Sequence, residues 1–314
     1  MRYGFYLPTR GGLATRAAIT AMARVGEASG FHSAMIADHI VFPVESRSRY
    51  PYSVSGQHPS HGDALEQLSM VNFVAALTER LRIVTSVLIL PYRNPVLTAK
   101  MLATADVLSD GRITVGVGVG WLEEEFAALG TAPFHRRGAV SDEYLEILMK
   151  LWQTSPASHK GRFYSFDEIR CEPPPIQTPH PPIWVGGHSQ AALRRAAKYG
   201  NGWHPVGAIA AVPLPPAEMV QKLAELKRLT EAQGRDFSAL TISYKAPLYD
   251  VALADADGAR RPFSGAPGQI AQDIQNFAEI GVHELIFDFR GETVEDSVRQ
   301  MQVFAEKIMP LGVA

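Results

Sequence analysis

Along its 314 residues the chain alternates short β-branched and aromatic runs with stretches of helical periodicity, and no stretch interrupts that alternation for long. Repeated βα units of this kind build parallel sheets. The run at 2–7 reads as a first strand, followed by a helix over 14–29 that stops at Gly30, and the run at 32–37 as a second strand. A third strand spans 81–90, and a helix over 95–108 starts at Asn94-Pro95, where proline suits the first helical position, and ends at Asp110-Gly111. A fourth strand covers 112–120. The next helix is expected over 141–152, with Ser141 as cap, Asp142 and Glu143 in its first turn, and Tyr144, Leu145, Leu148, Met149 and Trp152 on one face. PIWV, NGWHP, LTISYKAPLYD and HELIFDF supply four further strands, and a helix over 293–309 closes the series. About eight strands and eight helices, with no Pro-, Gly- or Ser-rich linker, predict one domain over 1–314: a single closed (β/α)8 TIM barrel rather than an open doubly wound sheet.

Three stretches, 41–63, 155–182 and 206–218, depart from the pattern and are expected as excursions over the C-terminal barrel mouth, where such barrels build their sites. A 46% hydrophobic content, 20% charge and net charge of −2 give no footprint for nucleic acid or an anionic membrane, so a small, mostly neutral molecule is the expected partner. The lone Cys171 forms no intramolecular disulfide and no cysteine metal cluster, the opening MRYGFYLP lacks signal-peptide layout, and the run around IVTSVLIL is too short to span a bilayer. The expectation is a cytoplasmic protein.

Several residues could carry chemistry. In PPIWVGGHSQAALRRAAKYG a strand turns through Gly186 and Gly187 into a helix capped by Ser189. Those glycines either serve a tight turn or let a phosphate approach the free N–H groups of the helix. Asp38-His39 ends the second strand, where a carboxylate beside an imidazole fixes its tautomer for general acid or base work; the bland reading is local capping. Glycines 116, 118 and 120 in GVGVGW suit a planar ring lying across the strand ends better than a dinucleotide fingerprint. Lys245 is either a Schiff-base lysine in an apolar pocket or, more ordinarily, a solvated or ion-paired one. His58 and His61 form HxxH without a third ligand of suitable spacing, so no metal is expected.

Taken together, DHIVFP, TSVLILPYRNP, DGRITVGVGVGWLEEEF, RRGAVSDEYLEILMKLW and PPIWVGGHSQAALRRAAKYGNGW resemble the bacterial luciferase-like family, and more narrowly its branch of oxidoreductases using the deazaflavin coenzyme F420. The match runs in order over about residues 1–205. The resemblance implies a flavin-type cofactor at the barrel mouth, with Ser86 and Val87 forming a non-prolyl cis peptide behind its central ring. It further implies that Gly118, Val119 and Gly120 run along the cofactor, that Gly186, Gly187 and His188 hold its phosphate, and that Asp38 and His39 flank the reactive ring, His39 as proton donor or acceptor. Related sugar-phosphate dehydrogenases place an acid where this chain has Trp121, which instead suggests an apolar substrate wall or packing beneath a loop. F420 passes hydride, whereas FMN members of the family activate oxygen as monooxygenases. Arg93, Arg136, Arg137 and Lys160 are candidates for the acidic tail of F420. F420-dependent hydride transfer is the favoured expectation, FMN-dependent monooxygenation the alternative, and a non-catalytic flavin-binding protein or a Schiff-base aldolase at Lys245 lie further off. By the same resemblance a homodimer is expected.

Overall fold

A computed structural model describes residues 1–58, 63–246 and 260–312. Its strands are β1 (Arg2–Tyr6), β2 (Ser33–Ile36), β3 (Arg82–Thr85), β4 (Leu88–Ile89), β5 (Ile113–Gly118), β6 (Ala157–Lys160), β7 (Ser165–Ile169), β8 (Ile183–Gly186), β9 (Gly202–His204), β10 (Thr241–Ala246) and β11 (Glu284–Phe287). Nine of them follow one another in the order β3, β2, β1, β11, β10, β9, β8, β5, β4, and a further β3–β5 pairing closes the ring. All these pairings are parallel. The expected third strand is split: β3 and β4 are one barrel strand broken at Ser86–Val87, whose peptide is cis. The result is the expected closed eight-stranded barrel.

The helices are α1 (Arg16–Ala28), α2 (Gln67–Leu77), α3 (Pro95–Leu108), α4 (Glu123–Ala128), α5 (Arg137–Gln153), α6 (Gln190–Tyr199), α7 (Pro216–Glu231), α8 (Pro267–Glu279) and α9 (Val294–Lys307). Eight alternate with the barrel strands as expected, and short α4 is an addition between β5 and α5. Local chemistry explains their starts. The Thr15 hydroxyl accepts from Ala18 N at 3.2 Å, Asn94 Oδ1 from Val96 N at 3.0 Å ahead of Pro95, and Ser189 Oγ from Ala192 N at 3.2 Å. Helix α5 begins at Arg137 rather than Ser141. Ser141 is fully buried inside it, its hydroxyl donating to Arg137 O at 2.7 Å, so a small side chain satisfied one turn back packs in the helix instead of capping it.

The main core lies between strands and helices, and a separate apolar layer of Met35, Val84, Trp184 and Ile286 fills the barrel interior. Gly4 belongs to that interior: a Cβ there would sit 2.4 Å from Ser33 Oγ and 2.7 Å from Ile286 Cδ1. The stretch 155–182 contains an antiparallel hairpin, β6 with β7. The strand expected over 240–250 is seen to Ala246; residues 247–250 lie outside the described residues, as does His61. No helix among the described residues is long and apolar enough to cross a membrane.

Candidate active site

A cavity of about 700 Å3 opens at the C-terminal ends of the strands. Asp38, His39, Ser86, Val87, Gly118, Val119, Gly120, Gly186 and Gly187 all line it. His188, next in the chain, is half-buried and does not line it. Of the four basic residues considered for an acidic tail, Arg137 lines the cavity, Arg136 and Lys160 are exposed elsewhere, and Arg93 is engaged within the protein.

Val87 forms the floor. A Cβ on Gly118 would approach Val87 Cγ2 to 2.5 Å, one on Gly186 would approach Cγ1 to 2.9 Å, and one on Gly116 would strike Thr85 O at 2.0 Å. The glycines of β5 and β8 therefore admit the break in the β3–β4 strand and its protruding valine. The space that Gly116 and Gly118 leave is taken first by Thr85 and Val87, while Gly118 also lines the cavity. From the cavity wall inward a chain of hydrogen bonds runs from Tyr6 Oη to Ser86 Oγ (2.9 Å), on to His204 Nε2 (3.0 Å), and from His204 Nδ1 to Ser243. Burial holds His204 well below the ordinary histidine range.

Asp38 does not orient His39. It is 4% exposed, accepts from Ile89 N at 2.9 Å, and takes both terminal nitrogens of Arg93 at 2.7 and 2.8 Å. Arg93 also donates to Glu66 at 2.7 Å, and although burial opposes its charge, the two carboxylates raise its pKa. Asp38 thus pins the β4 turn, which accounts for its place at the cavity edge. The partner of His39 is Glu125 on α4, fully buried, with His39 Nδ1 to Glu125 Oε2 at 2.8 Å. The same carboxylate accepts from Tyr92 Oη at 2.7 Å, Ile40 N at 2.7 Å and Val41 N at 3.2 Å. Burial favours its neutral form, yet these donors, His39 foremost, outweigh it and hold Glu125 below the usual carboxylate range. An ionised carboxylate only accepts, so the hydrogen lies on His39 Nδ1 and the neutral ring offers the Nε2 lone pair.

The excursion after β2 is tied down from the same short helix. Glu124 accepts from Arg47 N at 2.6 Å and Ser48 Oγ at 2.7 Å. Trp121 lines the cavity and packs against this loop. Its ring lies 5.5 Å from His58 and 5.1 Å from Tyr50, and His58 in turn stacks on Phe42 at 5.0 Å. Burial first, then Arg10 and His39, push the His58 pKa down to about 3. Lys245 is neither solvated nor ion-paired with a carboxylate among the described residues. It is 4% exposed at the cavity wall, and burial lowers its ammonium to about 7. Among the described residues no group of three His, Cys, Asp or Glu is placed to hold a metal ion.

Comparison with known proteins places this arrangement. An uncharacterized protein of Mycobacterium tuberculosis is 30% identical over 298 residues, covering 92% of this chain and 93% of its own. The FMNH(2)-dependent dimethylsulfone monooxygenase of Pseudomonas putida is 32% identical over 185 residues, 58% of this chain and 46% of that protein. An F420-dependent secondary alcohol dehydrogenase, solved in complex with an F420-acetone adduct, superposes with a TM-score of 0.79 at 16% identity, covering 100% of this chain and 99% of that one, a likeness of fold. A model of the luciferase-like monooxygenase family matches residues 1–263, and this chain belongs to that family.

Proposed function

We propose that the protein binds coenzyme F420 in the mouth cavity and transfers hydride between it and a small organic substrate, with His39 carrying the accompanying proton. The observation behind this is the His39–Glu125 pair: a fully buried carboxylate 2.8 Å from Nδ1 of a ring that borders the cavity. Moving hydride to or from a carbonyl carbon requires a proton at the oxygen, and a histidine held in one tautomer supplies or takes it. Neutral His39 accepts a hydroxyl proton at Nε2, and Glu125 stabilises the imidazolium that results. In the reverse direction the imidazolium donates from the same atom.

The residues present suit a deazaflavin. Val87, seated between Gly118 and Gly186, gives a ring system an apolar surface with no neighbouring Cβ in the way. Gly187 (φ +82°) leads into the N-terminus of α6, where Ala191 and Ala192 line the cavity and free N–H groups suit a phosphate. Arg137, whose Nε donates to Gly120 O at 3.2 Å, adds a cation to the cavity lining. A cavity of about 700 Å3 is of ligand-pocket size. When bound, the deazaflavin would supply the hydride donor or acceptor, its carbon in place of N5 disfavouring oxygen chemistry. The FMN-dependent relative of Pseudomonas putida supports the second reading, monooxygenation with a separately reduced flavin.

Fluorescence titration of the purified protein with F420 and separately with FMN tests the proposal. Micromolar F420 binding with FMN far weaker is the expected result. Tight FMN binding would move the protein to oxygen-dependent chemistry, and binding of neither would overturn a cofactor site at Val87 and α6.

A further inference from the structure

Lys245 stands in the inward row of β10. Two residues earlier Ser243 bonds His204 inside the barrel, while Tyr244 between them packs outward on Phe277, so alternation points Lys245 into the mouth. Arg10 reaches the same wall from the loop after β1, and Arg290 from the loop after β11. Their partners are unequal. Arg290 is paired, its Nε 2.7 Å from Asp288 Oδ2. Arg10 meets only neutral acceptors among the described residues, His58 Nε2 at 3.3 Å and the Tyr50 hydroxyl. No carboxylate of the described residues lies within 4.0 Å of Lys245 or Arg10. Among the described residues three basic side chains and one carboxylate thus share one wall, and a buried cation without a counter-ion is costly unless something supplies it.

The ring order says which ligand group lies there. Counting β3–β4 as one strand, β10 stands across the barrel from Val87, and β1 stands across from β8 with Gly186. A ring seated on Val87 with its phosphate at α6 leaves this opposite wall to whatever approaches the exposed face of the ring.

Resting on the hydride-transfer reading above, we infer that Lys245 and Arg10 bind an oxyanion of the substrate, which is a small organic acid. The shared chemistry, an oxyanion in a cationic corner, has two conceivable sources, the substrate or the acidic tail of the cofactor. A matched pair of probes separates them: benzoate and its neutral isostere benzamide, titrated calorimetrically into the protein alone and into protein saturated with F420. Benzoate is expected to bind about tenfold or more tighter than benzamide in both forms, from one charge-assisted contact. Lys245→Met and Arg10→Met are expected to bring the ratio close to one while leaving F420 affinity within about twofold. Removing an uncompensated buried cation should leave the melting temperature of Lys245→Met at or above that of the parent, which certifies a folded variant. Equal binding of the two probes would overturn the inference, as would F420 expelling benzoate, since the corner would then hold the cofactor. Absence of F420 binding would remove the hydride-transfer reading by itself, with the probe ratio in the free protein still reporting on the corner.

Discussion

Replacing Glu125 by glutamine tests the proton-carrying assignment through atoms whose geometry is fixed. Oε1 accepts from Ile40 N at 2.7 Å and Val41 N at 3.2 Å, whereas Oε2 accepts from His39 Nδ1 at 2.8 Å and Tyr92 Oη at 2.7 Å. The amide oxygen of glutamine must therefore take the Oε1 place, because two backbone N–H groups point at it. That puts the amide NH2 against His39 Nδ1, which now has to accept, and the hydrogen of the neutral ring moves to Nε2. The two bonds at the Oε2 place reverse direction, and all four bonds to a charged acceptor become neutral ones. At about 1.5–3 kcal/mol for a charged hydrogen bond against about 1 kcal/mol for a neutral one, the variant should lose about 2 kcal/mol of unfolding free energy. Imidazole nitrogen correlation spectra on histidine-labelled protein, with His39 assigned by its alanine variant, report the tautomer directly. The expected outcome is a hydrogen on Nδ1 in the parent and on Nε2 in Glu125→Gln, with substrate-alcohol oxidation falling because the neutral ring can no longer take a proton at Nε2. An unchanged tautomer, or a denaturation midpoint equal to that of the parent, would refute the coupling of Glu125 to His39.

Two further outcomes follow from the pairs around the mouth. Asp38→Asn leaves the bond to Ile89 N but turns two charge-assisted bonds of Arg93 into weaker ones while Glu66 still pairs the guanidinium, so denaturant melts should show a loss of about 2 kcal/mol; no loss at all would mean the pair does not hold the β4 turn. The His58 pKa is depressed in the folded protein, so the closed loop disfavours the proton that the open loop accepts near 6.5. Loop packing is therefore complete above that value and weakens as pH falls from 6.5 toward 3; Trp121 fluorescence should report the change, and His58→Phe should abolish it.

The barrel was legible because its elements announce themselves locally: β-branched runs of strand length, Asn94-Pro95 and Ser189 at helix starts, and apolar faces at helical spacing. Ser141 misled because a hydroxyl followed by two acidic residues reads the same whether it caps a helix or satisfies itself against the carbonyl one turn earlier; only the burial of neighbouring Val140 separates the two. The glycines of β5 suit a planar ring in the sequence, but what fills their space first is another strand's Thr85 and Val87, a contact set by pairing register. The larger miss was at His39. Adjacency favoured Asp38, yet consecutive residues of an extended segment point to opposite sides, so the nearest carboxylate in sequence was poorly placed to reach the ring. The signal for Glu125 was present in WLEEEF. At helical spacing Leu122, Glu125 and Phe126 share one face, and all three are fully or almost fully buried, while Glu123 is exposed and Glu124 turns to the loop at Ser48. A glutamate on the apolar face of a short helix has to find donors there. In a chain whose βα loops converge on one mouth, the histidine at the end of β2 lay within reach of that helix.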